Sequence, residues 1–470
     1  MPYDDLHTDA LRPLWGGRTR APLTARALEL SSTVDVDRPL APYDIRATRA
    51  HLPELERLGL IDADGRGRLE SALATIGDAM AEDTFSWSEE HEDVHMNVET
   101  AVRDAAGPEL AGQLQAGRSR NEEVVTDERL WLLDAVRRLD AAARQLQGTL
   151  VERAGEHLDT AVPAHTHTQP AQPTLLAHHL LAYVEMLDRD RGRLADAALR
   201  ADASPAGSGA AVGSGLQIDR EAVAHRLGFG RTTRNSLDAV SDRDYAAELA
   251  AACATTMVHL SRLAADLVLW STPYYGFARI GDGHATGSSM LPHKRNPDVA
   301  ELVRGRAARA QSDLAAILAV QSGLPLGYHR DLQETRAPMQ RSVTSLELCL
   351  AATDGMLRDT AFDADAMRRA ATRGHALATA LAERLLRAGV PFREAHWRVG
   401  ALVAEAEGAG CDLAAMAPER LRDALPELAD HEPIVPTLAE ALATADLPGG
   451  TAPTRVRAAL ADARERIARP

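Results

Sequence analysis

Residues Thr286 to Glu301, TGSSMLPHKRNPDVAE, bring two adjacent hydroxyls, an ammonium and an amide into one short run. Ser288 and Ser289 follow a glycine. Lys294 comes after Pro292 and His293, and Asn296-Pro297 opens a predicted helix. Proline suits a first helical turn, because its missing N–H would have no partner there. A flexible loop bearing a hydroxyl, a cation and an amide, fixed to a helix N-terminus, is a receptor for a carboxylate. Such a loop can also place a base beside that carboxylate. An ordinary polar surface loop would explain a generic GSS, but not the whole run.

Three further segments carry matching chemistry. Gly117-Arg118-Ser119-Arg120-Asn121 sets two guanidiniums around a hydroxyl and an amide, and guanidinium forks suit carboxylates. Taken alone it reads equally as a solvated turn. The run from His165 to Pro173, HTHTQPAQP, holds Thr166 and His167 in a Thr/Gln-rich turn ahead of a helix. HxH can signal a metal, but no third ligand of convincing spacing accompanies it, so no metal is expected. Proton transfer or substrate orientation fits His167 better. The third segment, Gly323 to Glu334, offers Tyr328, cations and the amide of Gln333 in one turn. The glycines between Gly207 and Gly215 follow no strand pattern, which excludes a dinucleotide site and leaves a tight turn. No cofactor is expected.

Positioning these segments falls to long helices. Leu132, Val136, Leu139, Ala143, Leu146 and Leu150 recur at steps of four and three behind Thr126 and Asp127, which read as caps. Leu176, Leu180, Tyr183 and Leu187 form a second seam. The third runs from Leu249 through Cys253, Thr256, Leu260, Leu263 and Leu267 to Trp270. Val303, Ala307, Ala310, Leu314 and Ile317 make the fourth. Four such seams separated by Gly/Pro/Ser-rich loops spell a helical bundle. Before it, helices are expected over 44–60 and 65–80, a polar loop over 86–92 and a helix resuming around Asn97. Leu14 to Arg18 is a glycine-broken start. A shift near Ala361 to Asp365 marks a smaller C-terminal domain, whose end, Arg455 to Arg469, reads as a surface helix.

The chain is 470 residues long, enough for more than one domain. Its net charge of −16 excludes a general nucleic-acid binder, which needs a basic face. Cys253, Cys349 and Cys411 form neither a zinc template nor a disulfide framework, consistent with a reducing cytoplasm. No signal peptide and no membrane-length apolar run is evident, so no membrane partner is expected. With only 4% aromatics and abundant Ala, Leu and Arg, the fold class is all-α.

The run at Ser288 resembles the signature of the fumarase/aspartase superfamily, GSSxMxxKxN with a glutamate five residues after the asparagine. Gly287, Ser288, Ser289, Lys294, Asn296 and Glu301 match, while Leu291 stands in the methionine's place. Over nearly the whole chain the sequence is similar to the argininosuccinate lyase family. Leu14 to Arg18 resembles that family's opening, and Asp37-Arg38-Pro39-Leu40 with Tyr43-Asp44-Ile45 resembles DRxLxxYDI. Glu92 to His95 resembles EDIH, and Gly117 to Asn121 matches GRSRN. Asn235 to Asp238 with Ser241 to Asp244, Tyr328 to Glu334, and Pro391 to His396 complete the resemblance.

The resemblance implies a three-domain fumarase/aspartase-type subunit: an N-terminal helical domain over 1–112, a central long-helix bundle over 113–362 and a C-terminal helical domain over 363–470. It implies a homotetramer whose active sites are shared between subunits, and elimination of fumarate from an N-substituted aspartate. In that pattern Ser288 is the base, and Lys294 and Asn296 hold the carboxylate that gains charge. His167, oriented by Glu301, serves the departing nitrogen. Thr33, Arg118, Ser119, Arg120, Asn121, Thr166, Tyr328, Gln333 and Arg336 position the substrate. Several positions depart from the pattern. The family's HTGRSRNDQ is Gln115 to Glu123 here, Thr33 replaces a serine, Arg336 a lysine, and YNKD is Tyr328-His329-Arg330-Asp331. The residues of elimination are kept while those around the leaving amine differ. Both an argininosuccinate lyase and a paralogue cleaving another aspartyl amine fit that pattern. A catalytically silent structural homologue would be free to lose Ser288, Lys294, Asn296 and His167, all of which are kept.

Overall fold

The computed structural model describes residues 23–469, so the opening from Leu14 to Arg18 lies outside the described residues. Helix dominates. The strands among the described residues are short and pair into two-stranded ribbons. The chain forms two compact units. One comprises Met1–Asp134, Arg200–Tyr245 and Ala319–Ala337; the other comprises Ala135–Leu199, Ala246–Leu318 and Pro338–Pro470.

In the first unit, the helix Ala41–Arg57 begins with proline in its first turn and stops just before Gly59, which takes a φ of 72°. Asp62 and Asp93 cap the next two helices, Ala63–Ala81 and Val94–Ala106. Each carboxylate accepts a backbone N–H of the first turn, from Gly65 at 2.7 Å and Met96 at 2.8 Å. These three helices close over Leu52, Leu55, Leu69, Leu73, Val98 and Val102, all buried. A second cluster joins Ala47 and Ala50 to Leu130, Val223, Leu227 and Phe229.

The helix expected to begin at Thr126 begins at Arg120 and runs to Glu156. Thr126 and Asp127 are therefore not caps. Both are buried inside the helix, and the Thr126 hydroxyl donates to the Glu122 carbonyl at 2.7 Å. Back-bonding to the fourth preceding carbonyl is how threonine is accommodated within a helix.

The second unit holds the remaining length of that helix, Leu176–Ala201 and Asp298–Gln321 apart from their last residues, Arg336–Asp359 apart from its first residues, and Asp244–Trp270 after its start. Every residue of the first three seams is buried, and in the fourth only Leu314 is half-exposed. Asp244–Trp270 is long and apolar enough to span a membrane by length and composition, yet its apolar face is the buried third seam. Beyond Phe362 the C-terminal helices gather around Leu381, Leu385, Leu402, Leu425 and Leu428. The last helix, Pro453–Ala468, is more than a surface helix. It buries Val456, Leu460 and Ala463, and Arg466 reaches Asp188 at 2.7 Å.

Candidate active site

Thr33, Arg118, Ser119, Arg120, Tyr328, Gln333 and Arg336 line one cavity of about 690 Å³ in the first unit. Three chain segments supply them. The helix start at Arg120 presents Ser119 and both guanidiniums, and the turn Arg330–Thr335 presents Gln333 next to Tyr328 and Arg336. The third is the short stretch around Thr33, whose N–H donates to the Glu92 carbonyl at 2.9 Å. Asn121 sits beside the cavity lining and donates to the Ala210 carbonyl at 3.0 Å. The glycine-rich run is thereby tied to the same helix start, where the Glu122 carboxylate accepts from the Gly209 N–H at 2.6 Å. Gly209 has a φ of 60°, and a Cβ there would lie 2.3 Å from the Gly213 carbonyl oxygen, so only glycine fits this turn. Burial pushes the Glu122 carboxyl up to about 7.

The cationic residues of the cavity are held by acids. Arg120 Nη1 lies 3.0 Å from Glu123 and its Nε 3.3 Å from Asp93, while Arg118 Nε lies 3.2 Å from Glu123. Arg336 is almost fully buried, with Nη1 2.6 Å from Asp37 and Nε 2.7 Å from Glu128. Asp37 also accepts the Thr33 hydroxyl at 2.5 Å. Glu128 further accepts the Tyr245 hydroxyl and lies 3.4 Å from Arg243. The guanidinium of Arg243 stands 6.0 Å from the Tyr328 ring centroid. Burial pushes the Tyr328 phenol above its ordinary range, which keeps it a hydrogen-bond donor at neutral pH.

Behind Arg120, His95 Nδ1 lies 3.0 Å from Asp44 and 3.7 Å from Asp127, all three fully buried. Their donor atoms lie within 4.8 Å of one another, a spacing that would also suit a metal. Burial alone would lower the imidazole's pKa, but the Asp44 carboxylate overrides it and holds His95 at about 9. His95 and Asp44 thus form a buried ion pair, with Asp127 beside it. In the unfolded chain His95 returns to about 6.5. Its stabilisation is therefore complete below about pH 6.5 and is lost as pH rises through about 9. At pH 6, His95→Gln is expected to lower stability by on the order of 3 kcal/mol, a gap that closes toward pH 10. Urea midpoints across that range check it; a constant offset would contradict it.

In the second unit, Ser288 and Lys294 occupy the tip of a two-stranded ribbon in which Thr286 pairs with Asn296 and Gly287 with Arg295. The Ser288 hydroxyl oxygen accepts two backbone N–H groups, from Leu291 at 3.0 Å and Met290 at 3.3 Å. Lys294 is exposed, and Asn296 lines a small cleft with Arg295 and Pro297. Glu301, in the first turn of Asp298–Gln321, is exposed and lies 3.8 Å from Arg304.

Thr166 and His167 do not sit in a simple turn before a helix. They end a β-hairpin whose first strand is Ala161–Thr166 and whose second, Gln169–Leu175, runs directly into the helix Leu176–Ala201. Thr166 pairs with Gln169, so His167 and Thr168 form the two-residue turn, at φ 55° and 60°. Such turns match the strand twist but favour Asn-Gly, and side chains with positive φ cost roughly 1–3 kcal/mol each. The strain displays His167 at an exposed tip.

Asp37, Glu128, Glu92 and Arg330 shape the cavity or its supports and were not singled out as site residues from sequence. Asp37, Glu92 and Arg330 lie within the family-like motifs, which are their only signal in the sequence. Nothing in the sequence distinguishes Glu128 from its charged neighbours.

The chain matches known proteins along nearly its whole length. A family model described as lyase covers residues 43–312, and one described as argininosuccinate lyase C-terminal covers residues 375–445. The argininosuccinate lyase of Symbiobacterium thermophilum is 44% identical over 458 residues, 97% of this chain and 99% of that protein. Among solved structures, an EDDS lyase variant with bound fumarate superposes with a TM-score of 0.81 at 26% identity, covering 94% of this chain and 88% of that one. The 3-carboxy-cis,cis-muconate lactonizing enzyme of Pseudomonas putida shares the fold, with a TM-score of 0.74 at 21% identity, 95% of this chain and 98% of that one.

Proposed function

The chain belongs to the argininosuccinate lyase family of the fumarase/aspartase superfamily and is a carbon–nitrogen lyase, and from that premise we propose that it cleaves argininosuccinate to arginine and fumarate. The observation that carries this reading is the 44% identity sustained over 97% of the chain.

Elimination needs a base for a weakly acidic Cβ proton and a cradle for the charge left behind. Ser288 is the base. Serine is a poor base in water, but two N–H groups already converge on its oxygen and would stabilise an alkoxide there. Lys294 on the same tip and Asn296 in the strand below it hold the substrate carboxylate as it takes on enediolate character. His167 delivers a proton to the departing nitrogen, and Glu301 of another subunit orients it. Thr33, Arg118, Ser119, Arg120, Asn121, Thr166, Tyr328, Gln333 and Arg336 position the substrate. The lyase acts as a cytoplasmic homotetramer. Ser288 and His167 belong to the second unit and the lined cavity to the first; in the homotetramer each active site draws these segments from different subunits.

Purified protein mixed with argininosuccinate is expected to release fumarate, read by its ultraviolet absorbance, with an equal amount of arginine. Fumarate from another aspartyl amine but not from argininosuccinate would select a paralogue. None from any N-substituted aspartate would sink the catalytic reading.

A further inference from the structure

We propose that Arg330 is a positioning residue that locks the side-chain amide of Gln333 as a hydrogen-bond donor, so that Gln333 reads a carboxylate of the substrate. The inference rests on the lyase reading and adds to it a residue and a polarity. Arg330 Nε donates to Gln333 Oε1 at 2.8 Å, its Nη2 donates to the Ser31 carbonyl at 2.9 Å, and its Nη1 donates to Glu92. One guanidinium thus clasps three chain segments at the cavity that Glu92, Arg330 and Gln333 all line.

The chemistry of arginine fixes the amide's direction. A guanidinium has five N–H donors and no acceptor, so the atom of Gln333 facing it must be the oxygen. The –NH2 is then what Gln333 has left for the cavity. That –NH2 group can donate to a carboxylate oxygen and cannot accept from an ammonium or guanidinium. Glu92 keeps the clasp in place, since its own carbonyl accepts the Thr33 N–H at 2.9 Å. A lysine at 330 would supply a point charge, not a planar fork, and could not serve all three acceptors equally well. Because the Arg330 side chain is 53% exposed, its loss should weaken binding without unfolding the protein.

The test compares kcat and KM for fumarate release in wild type, Arg330→Ala, Arg330→Lys and Gln333→Glu. Arg330→Ala is expected to raise KM about tenfold with kcat changed less than about threefold, the mark of lost uniform binding. Arg330→Lys should recover part of that loss. Gln333→Glu keeps an oxygen toward Arg330 but replaces the donor, and should bind at least as poorly as Arg330→Ala. A wild-type KM in Arg330→Ala, or in Gln333→Glu, would overturn the proposal. Should wild type release no fumarate from argininosuccinate, the substrate reading alone falls. Thermal shifts with succinate and with L-arginine then decide, because they need no turnover: identical shifts for wild type and Arg330→Ala with both ligands overturn the positioning role. If Arg330→Ala melts early without ligand, Arg330→Lys carries the same comparison.

Discussion

Ser288→Ala is expected to lower kcat for fumarate release by at least about a thousandfold while leaving the melting temperature and the native mass unchanged. The oxygen lost is the one on which the Met290 and Leu291 N–H groups converge. Those donors remain in the variant, but without a proton acceptor at their focus they stabilise nothing that moves. The tip should keep its shape, because the pairs Thr286 with Asn296 and Gly287 with Arg295 hold its two ends. Steady-state kinetics with a native mass measurement and a thermal melt checks this. Turnover close to wild type would remove Ser288 from its role.

The second large effect concerns stability. Arg336→Ala should cost about 3–5 kcal/mol, because it leaves Asp37 and Glu128 buried without their shared cation. Both acids are 1% exposed or less, so water cannot replace the guanidinium. Arg336→Lys should lose less, since an ammonium reaches one carboxylate well and the other poorly. Urea midpoints of the three proteins decide it, and an alanine variant as stable as wild type would contradict the arrangement. Tyr328 and Thr33 lean on the same network, so the alanine variant should also bind substrate weakly.

The long helices were legible because apolar residues at steps of three and four have one physical solution, a buried stripe. Cys253 and Thr256 fell into place that way, and both are buried. Leu314 is less buried than its spacing implied, since the helix Asp298–Gln321 also exposes Leu302 and Leu318. The start at Arg120 was hidden because charged residues occupy its first turn, whereas Thr126 looked like a cap. The hairpin at His167 escaped notice for a related reason. Its strands carry three prolines, and its turn lacks the glycine that usually marks one.

The site was legible as a set of side chains and illegible as a geometry. GRSRN and the turn after Gly327 could be read as carboxylate receptors, and they line one cavity. That Arg336 is sealed between Asp37 and Glu128 could not be read. Each partner lies in a different segment, and a charged residue in a helical pattern looks the same whether solvated or buried. The clasp at Arg330 was hidden for the same reason, its partners lying at Ser31, Glu92 and Gln333.

The central claim is that the Ser288 oxygen moves the Cβ proton, and running the reaction backward in heavy water tests it most directly. With fumarate and arginine in D2O, the wild-type protein should form argininosuccinate carrying one deuterium at Cβ, seen by mass spectrometry, and Ser288→Ala should form none. Deuterium incorporation by Ser288→Ala at the wild-type rate would contradict the account.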